Sequence, residues 1–167
     1  FTAREYGNFV FRLQIRLDPG GNNGIGIRAK VSKQPHIEGL ELQVLEDDYY
    51  ADGVPIKLKD YQHHGSIYGV VPAKTGQLKP AGQWNDQEII CNGRQLTVKL
   101  NGAVIVDANL DQVTPIDGME HPGLKYDKGH INLQGLESIS DEAAQLLANS
   151  EHISVNSFKD AGKKIFV

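Results

Sequence analysis

The sequence predicts an all-β sandwich of the jelly-roll kind, followed by a short C-terminal strand–helix tail. Three observations lead there. Nearly every hydrophobic run is short and alternates apolar with polar residues, Gly-rich turn signals separate those runs, and no helical periodicity intervenes before the last quarter of the chain. Six or more short antiparallel strands without intervening helices leave a sandwich as the architecture that buries their apolar faces. At 167 residues the chain is long enough for one domain with a substantial core.

"FVFRLQIRL" (9–17) alternates, and so does "GIGIRAKV" (24–31), with Ile25, Ile27 and Ala29 on one side. In "GLELQVLEDDYY" (39–50), Leu40, Leu42 and Val44 alternate with Glu41, Gln43 and Leu45. "EIICNGRQLTVKLNGAVIVDA" contains Asn92-Gly93 and Asn101-Gly102, each between two alternating runs. Asn-Gly in that setting is a strong hairpin signal, because both turn residues must accept positive φ, so three antiparallel strands are expected between 87 and 107. "GHINLQ" (129–134) supplies another strand.

The last quarter changes character, and the boundary is set at 135, with a sandwich over 1–135 and a tail over 136–167. "SISDEAAQLLAN" predicts a helix with Ser140 as N-cap and Asp141 and Glu142 in the first turn. "INLQGLE" (131–137) and "ISVNSFK" (153–159) match position by position, a strand-plus-helix unit like that of a leucine-rich repeat. Fewer than two units are present, so the tail reads as the stub of an array or as a surrogate strand packing on the sandwich. The parent protein is then expected to carry further repeats or domains.

Composition narrows the function classes. A net charge of −4, with no Lys/Arg run interleaved with aromatics, speaks against nucleic acid as partner. Nothing approaches the roughly 18 consecutive apolar residues of a membrane-spanning helix. Cys91 is the single cysteine, which rules out an internal disulfide. The chain opens on Phe1 without methionine or signal peptide, which reads as a processed or excised piece of something longer.

Period-2 geometry then groups side chains by face. Arg28 shares a face with Gly24 and Gly26, Glu41 with Gln43, and His130 with Asn132 and Gln134. These are the faces opposite the apolar ones, and glutamate is depleted in strands unless something recruits it. A concave face carrying Arg, Glu, Gln, His and Asn, with two Gly allowing close approach to the backbone, suits a sugar. "YQHHGSIYG" adds His63, His64 and Tyr68 at a loop–strand junction. Imidazole titrates near neutrality and serves as a general acid or base. Adjacent histidines rarely bind one ion together, and no HxH or HExxH spacing occurs. A two-carboxylate glycosidase lacks its second group, since Glu46 lies an odd number of residues from Glu41.

Taken in order, "YGNFVFRLQIRL", "GGNNGIGIRA", "GLELQVLED", "HGSIYGVVPA", "KPAGQWNDQEIICNG", "VKLNG", "HPGL" and "KGHINLQ" resemble the 3-keto-disaccharide hydrolase domain family. That resemblance implies a concanavalin-like jelly roll and cleavage, by hydrolysis or elimination, of glycosides already oxidised to a ketone at sugar C3. A C3 ketone acidifies the C2 hydrogen, so the site needs a base, an acid and a group that polarises the ketone. Carried onto this sequence, Glu41, His64 and Tyr68 are the expected acid–base groups. Asn22, Asn23, Arg28, Gln43, His63, His130 and Gln134 are the expected sugar-binding groups. A divalent metal on the ketone stays open, with Glu41, Gln43 and either His63 or His64 as its candidate ligands. The family's habit of export implies a periplasmic or extracellular setting. The resemblance also implies one or two strands before "YGNF", which this sequence is expected to lack. A non-catalytic, lectin-like glycan-binding module is the rival expectation, because the same face would bind sugar and the fold hosts both.

Overall fold

The computed structural model describes residues 1–2, 4–31, 35–48, 50–51, 54–133, 136–138 and 165–166. They build two sheets. The larger contains β1 (Phe9–Leu17), β6 (Trp84–Asn92), β7 (Gln95–Leu100) and β8 (Ala103–Asn109) as consecutive antiparallel neighbours. The smaller is β3 (Leu40–Leu45), β2 (Asn22–Ala29) and β9 (His130–Leu133), also antiparallel. A short hairpin, β4 (Tyr50–Ala51) with β5 (Val54–Pro55), stands apart from both.

Alternation explains the layering. Leu13, Ile15 and Leu17 of β1, Ile89 and Cys91 of β6, and Leu96, Val98 and Leu100 of β7 all point inward. They meet Ile25, Ile27, Leu40, Leu42 and Val44 of the small sheet in one continuous core. At roughly 1.5–3 kcal/mol for each fully buried aliphatic side chain, this layer is the main stabilising term. The outer face of the large sheet is polar and cross-linked. Glu88 lies between Arg12 and Lys99, at 2.5 and 2.9 Å, and Asp107 accepts hydrogen bonds from Gln95 and Thr97.

The two predicted hairpins are present, with one shift. Asn101 and Gly102 form the β7–β8 turn with φ of 51° and 87°, as Asn-Gly requires. At the other turn Asn92 pairs with Gln95, so Gly93-Arg94 occupies the two-residue loop. Gly93 has φ 56° while Arg94 does not take positive φ, which is the pattern of a turn needing glycine only at its first central position.

The small sheet is extended by a segment without strand-like sequence. Tyr68 N–H donates to the Glu41 carbonyl at 2.8 Å, Gln43 N–H to Ser66, and Gly65 N–H to Gln43. Residues 65–68 thus cover the edge of β3, which otherwise would present bare backbone groups. From the predicted tail, β10 (Leu136–Ser138) and β11 (Ile165–Phe166) pair in parallel, and β11 pairs with Arg16 and Leu17 of β1. Strands from the tail therefore add to the sandwich sheet. The predicted helix and the second copy of the repeat lie outside the described residues.

Candidate functional site

Register assembles the site. Gly26 pairs with Glu41 on one side and with Asn132 on the other, and Leu42 forms a bridge with Ile67, which sets Tyr68 opposite Glu41. Leu42 and Ile67 face the core, so Asn132, Gly26, Glu41 and Tyr68 form one row across the opposite face of the small sheet.

The two glycines make the floor. A Cβ on Gly24 would stand 2.1 Å from Glu41 Oε1, and one on Gly26 would stand 1.7 Å from Asn132 Oδ1. The carboxylate and the carboxamide therefore lie flat on bare backbone, over glycines two residues and so about 7 Å apart. Burial pushes the Glu41 carboxyl up to about 7. Asn132 is 5% exposed, and its Oδ1 is buried with no hydrogen-bond donor among the described residues. An acceptor left bare in this way costs about 1–3 kcal/mol unless a ligand or water satisfies it.

This floor makes a prediction. Gly24→Ala suits a strand, and the first atoms its methyl meets are the far end of the flexible Glu41 side chain. The variant is expected to fold with nearly unchanged thermal stability while displacing the carboxylate. A melting curve and a structure of the variant check both halves.

The other expected residues are dispersed. Tyr68 is in the row; its hydroxyl accepts from Gln62 Nε2 at 3.3 Å, and its ring packs edge-on against Tyr61 at 5.4 Å. Gln43 lies on the same face but is 4% exposed and donates to Asn22 Oδ1 at 3.0 Å, so the two amides hold each other. Asn23 pairs with Val44, whose side chain is buried in the core, and so points to the core side rather than to the Glu41 face. His63 sits beyond the end of β3 with Nδ1 3.3 Å from Asp47. His130 donates from Nδ1 to the Thr2 carbonyl at 2.7 Å and packs edge-on against Phe1. Gln134 lies outside the described residues.

Two expectations are corrected outright. His64 does not stand beside Glu41. It is 4% exposed and turns into the sandwich, where Nε2 donates to Gln87 Oε1 of the opposite sheet at 2.9 Å. Burial lowers its pKa to about 4, so it is neutral at physiological pH and has no access to a substrate. Arg28 does not line the open face either. Its pairing slips between Gly26 and Ala29, its φ is +51°, and its side chain is fully buried. The guanidinium is bound to the carbonyls of Tyr126 and Gly93.

Sequence reading overlooked a cluster beside Tyr68. Gly69 has φ +72°, and its carbonyl accepts from Ile116 N at 2.7 Å and from Asp117 N at 3.3 Å. A Cβ on Gly69 would meet Asp117 Oδ2 at 2.1 Å and His121 Nε2 at 2.7 Å. His121 Nε2 donates to both Asp117 oxygens, at 3.2 and 3.0 Å. Burial opposes ionisation of Asp117, but the Met119 amide and His121 outweigh it and hold the carboxyl below its usual range. The signal was a His four residues after an Asp in "DGMEHPGL", a spacing that says little in a loop. Among the described residues no three His, Cys, Asp or Glu side chains converge as metal ligands would. The set of Glu41, Gln43 and His63 or His64 is split, one imidazole facing the core and the other tied to Asp47, so those residues do not fit a shared ion.

Comparison with known proteins places this geometry. A family model described as the 3-keto-alpha-glucoside-1,2-lyase-like domain matches residues 1–144. The chain belongs to that family. It is similar to a curated Bacteroides thetaiotaomicron protein named 3-keto-disaccharide hydrolase, at 29% identity over 99 residues, covering 53% of this chain and 34% of the relative. The chain thus spans about a third of that relative's length. Among solved structures it is similar to a provisionally named glycosyl hydrolase from Parabacteroides distasonis, with TM-score 0.69 and 28% identity over 79% of this chain and 72% of the other. A second such protein from the same organism, at 20% identity and TM-score 0.67 over 79% and 65%, shares the fold. The family and these folds agree with the jelly-roll sandwich that the strand pattern predicts.

Proposed function

We propose that this domain cleaves 3-keto-glycosides, with Glu41 removing the C2 proton of a sugar already oxidised at C3. The observation that carries the reading is Glu41 itself, a partly buried carboxylate laid on a glycine floor with its pKa pushed up to about 7. A base titrating near the working pH combines availability with proton affinity, and each such group contributes about 10²–10⁴ in rate. One base of this kind suits a substrate whose ketone has already acidified the C2 hydrogen, whereas ordinary glycoside hydrolysis needs a second carboxylate at a defined distance. Family membership and the name of the curated relative support the same substrate class. Asn132 Oδ1 is bare on the same floor, an acceptor that a sugar hydroxyl reaching the floor would satisfy.

A glucoside and its 3-keto counterpart, assayed with wild type and Glu41→Gln, test the reading. Cleavage of the keto-glycoside alone, lost in the variant, is the expected result. Repeating the assay with a chelator tests the divalent metal independently of Glu41. Saturable binding of both sugars without turnover would replace the enzyme with a glycan-binding module. Cleavage of the plain glucoside would remove the need for C2–H acidity and sink the proposal.

A further inference from the structure

We propose that His121, oriented by Asp117, is the acid that protonates the departing glycosidic oxygen at the Glu41 site. The inference rests on the keto-glycoside reading and assigns its acid. A base at C2 is not sufficient, because an alkoxide leaving group must be protonated as it departs; of the expected acid–base groups, His64 faces the core, and Tyr68, opposite Glu41, is the rival donor.

Position is the first argument. Tyr68 stands opposite Glu41, and Gly69 follows it in the tight turn that folds Val71 back onto Ile67. The Asp117–His121 pair occupies the space above Gly69 where a side chain would otherwise be. It therefore flanks the row at its Tyr68 end, with Asn132 at the other end and Glu41 between them.

Chemistry is the second. The Asp117 and His121 side chains are only 5% and 11% exposed, so the pair is packed in place and does not sit on a freely solvated loop. Asp117 takes Nε2–H with both oxygens, which fixes the ring and leaves Nδ1 as the nitrogen that exchanges a proton. A carboxylate so placed holds the ring in one tautomer and one orientation.

The step balances without a further reactant. The C2–H bond breaks and its proton passes to Glu41. The freed electron pair becomes the C1=C2 bond as the C1–O bond breaks, and the leaving oxygen takes the Nδ1 proton of His121. One substrate gives an unsaturated 3-keto sugar and one alcohol. Glu41 ends protonated and His121 neutral, and exchange with water restores both.

Leaving-group dependence separates an acid from a structural residue. Methyl 3-keto-glucoside needs protonation of its leaving oxygen, whereas 4-nitrophenyl 3-keto-glucoside releases a stabilised anion and does not. His121→Gln should lower kcat/KM on the methyl glycoside about 100-fold or more, yet stay within about threefold of wild type on the nitrophenyl glycoside. Asp117→Asn should show the same selectivity with a loss of about 10-fold, and it carries the test if His121→Gln does not fold. Equal losses on both substrates, or no loss on either, would overturn the assignment. Wild-type inactivity towards both would instead overturn the keto-glycoside reading, and this role with it.

Discussion

Glu41→Gln should abolish most turnover and yet yield a more stable protein above neutral pH. The loss in rate is expected to be about 10²–10⁴-fold, the contribution of one positioned proton-transfer group. The gain in stability follows from the same burial that tunes the base. Unfolded, this carboxyl titrates near 4.5; folded, it titrates at about 7. Between those values the folded state binds the extra proton, so stability falls as pH rises through the window. The gap is worth roughly 3 kcal/mol at about 1.4 kcal/mol per pH unit. The amide carries no charge and escapes this cost. The variant should match wild type below about pH 4.5 and exceed it by up to about 3 kcal/mol at pH 8.

His64 shapes the rest of that profile with the opposite sign. Its pKa falls from 6.5 unfolded to about 4 folded, so protonation of the unfolded chain erodes stability as pH drops through that range. In wild type the two slopes oppose each other and the profile between about pH 4.5 and 6.5 should be nearly flat. In Glu41→Gln the histidine slope is no longer opposed, and stability should climb with pH up to about 6.5. Urea titrations at pH 4, 5, 6.5 and 8 read both curves. A variant no more stable than wild type at pH 8 would mean that Glu41 is not held in the strained ionisation its burial implies.

What was legible in the sequence divides along a physical line. Where backbone geometry is periodic, parity reported direction correctly. Leu40, Leu42 and Val44 face the core and Glu41 the other side, because a strand leaves no third option. Parity failed at Arg28 because one irregularity between Gly26 and Ala29, together with a positive φ, turned the side chain inward. It had nothing to offer for His64, which lies in a turn where direction is set by Gln87 on the opposite sheet. The Asp117–His121 pair was out of reach for a similar reason. Two backbone hydrogen bonds to Gly69, nearly fifty positions earlier in the chain, bring that loop to the site, and no local pattern encodes them.

Arg28 carries the largest expected loss of stability, and its backbone gives the loss a signature. Its guanidinium leaves the small sheet, bonds Gly93 O in the β6–β7 turn, and bonds Tyr126 O in the loop that leads into β9. Arg94 reaches the same loop, with Nη1 3.0 Å from Tyr126 O and Nη2 on Leu124 O. Two arginines thus clamp the segment that delivers β9, and hence Asn132, to Gly26. Removing Arg28 exposes no alternative donor for Gly93 O among the described hydrogen bonds, while Tyr126 O retains Arg94. Loss of two charge-assisted bonds and of a fully buried stem should cost about 4 kcal/mol in Arg28→Ala. Lysine should do little better, since one ammonium cannot span both carbonyls as the planar fork does. Arg28→Gly should be less damaging than Arg28→Ala by about 1 kcal/mol, because φ of +51° penalises any Cβ. That reverses the usual order for a strand, where glycine is the poorer choice. Denaturation midpoints of the three variants decide it. If alanine proved the more stable of the two, the positive φ would be a consequence of the arginine's reach, with the backbone relaxing once the side chain is gone.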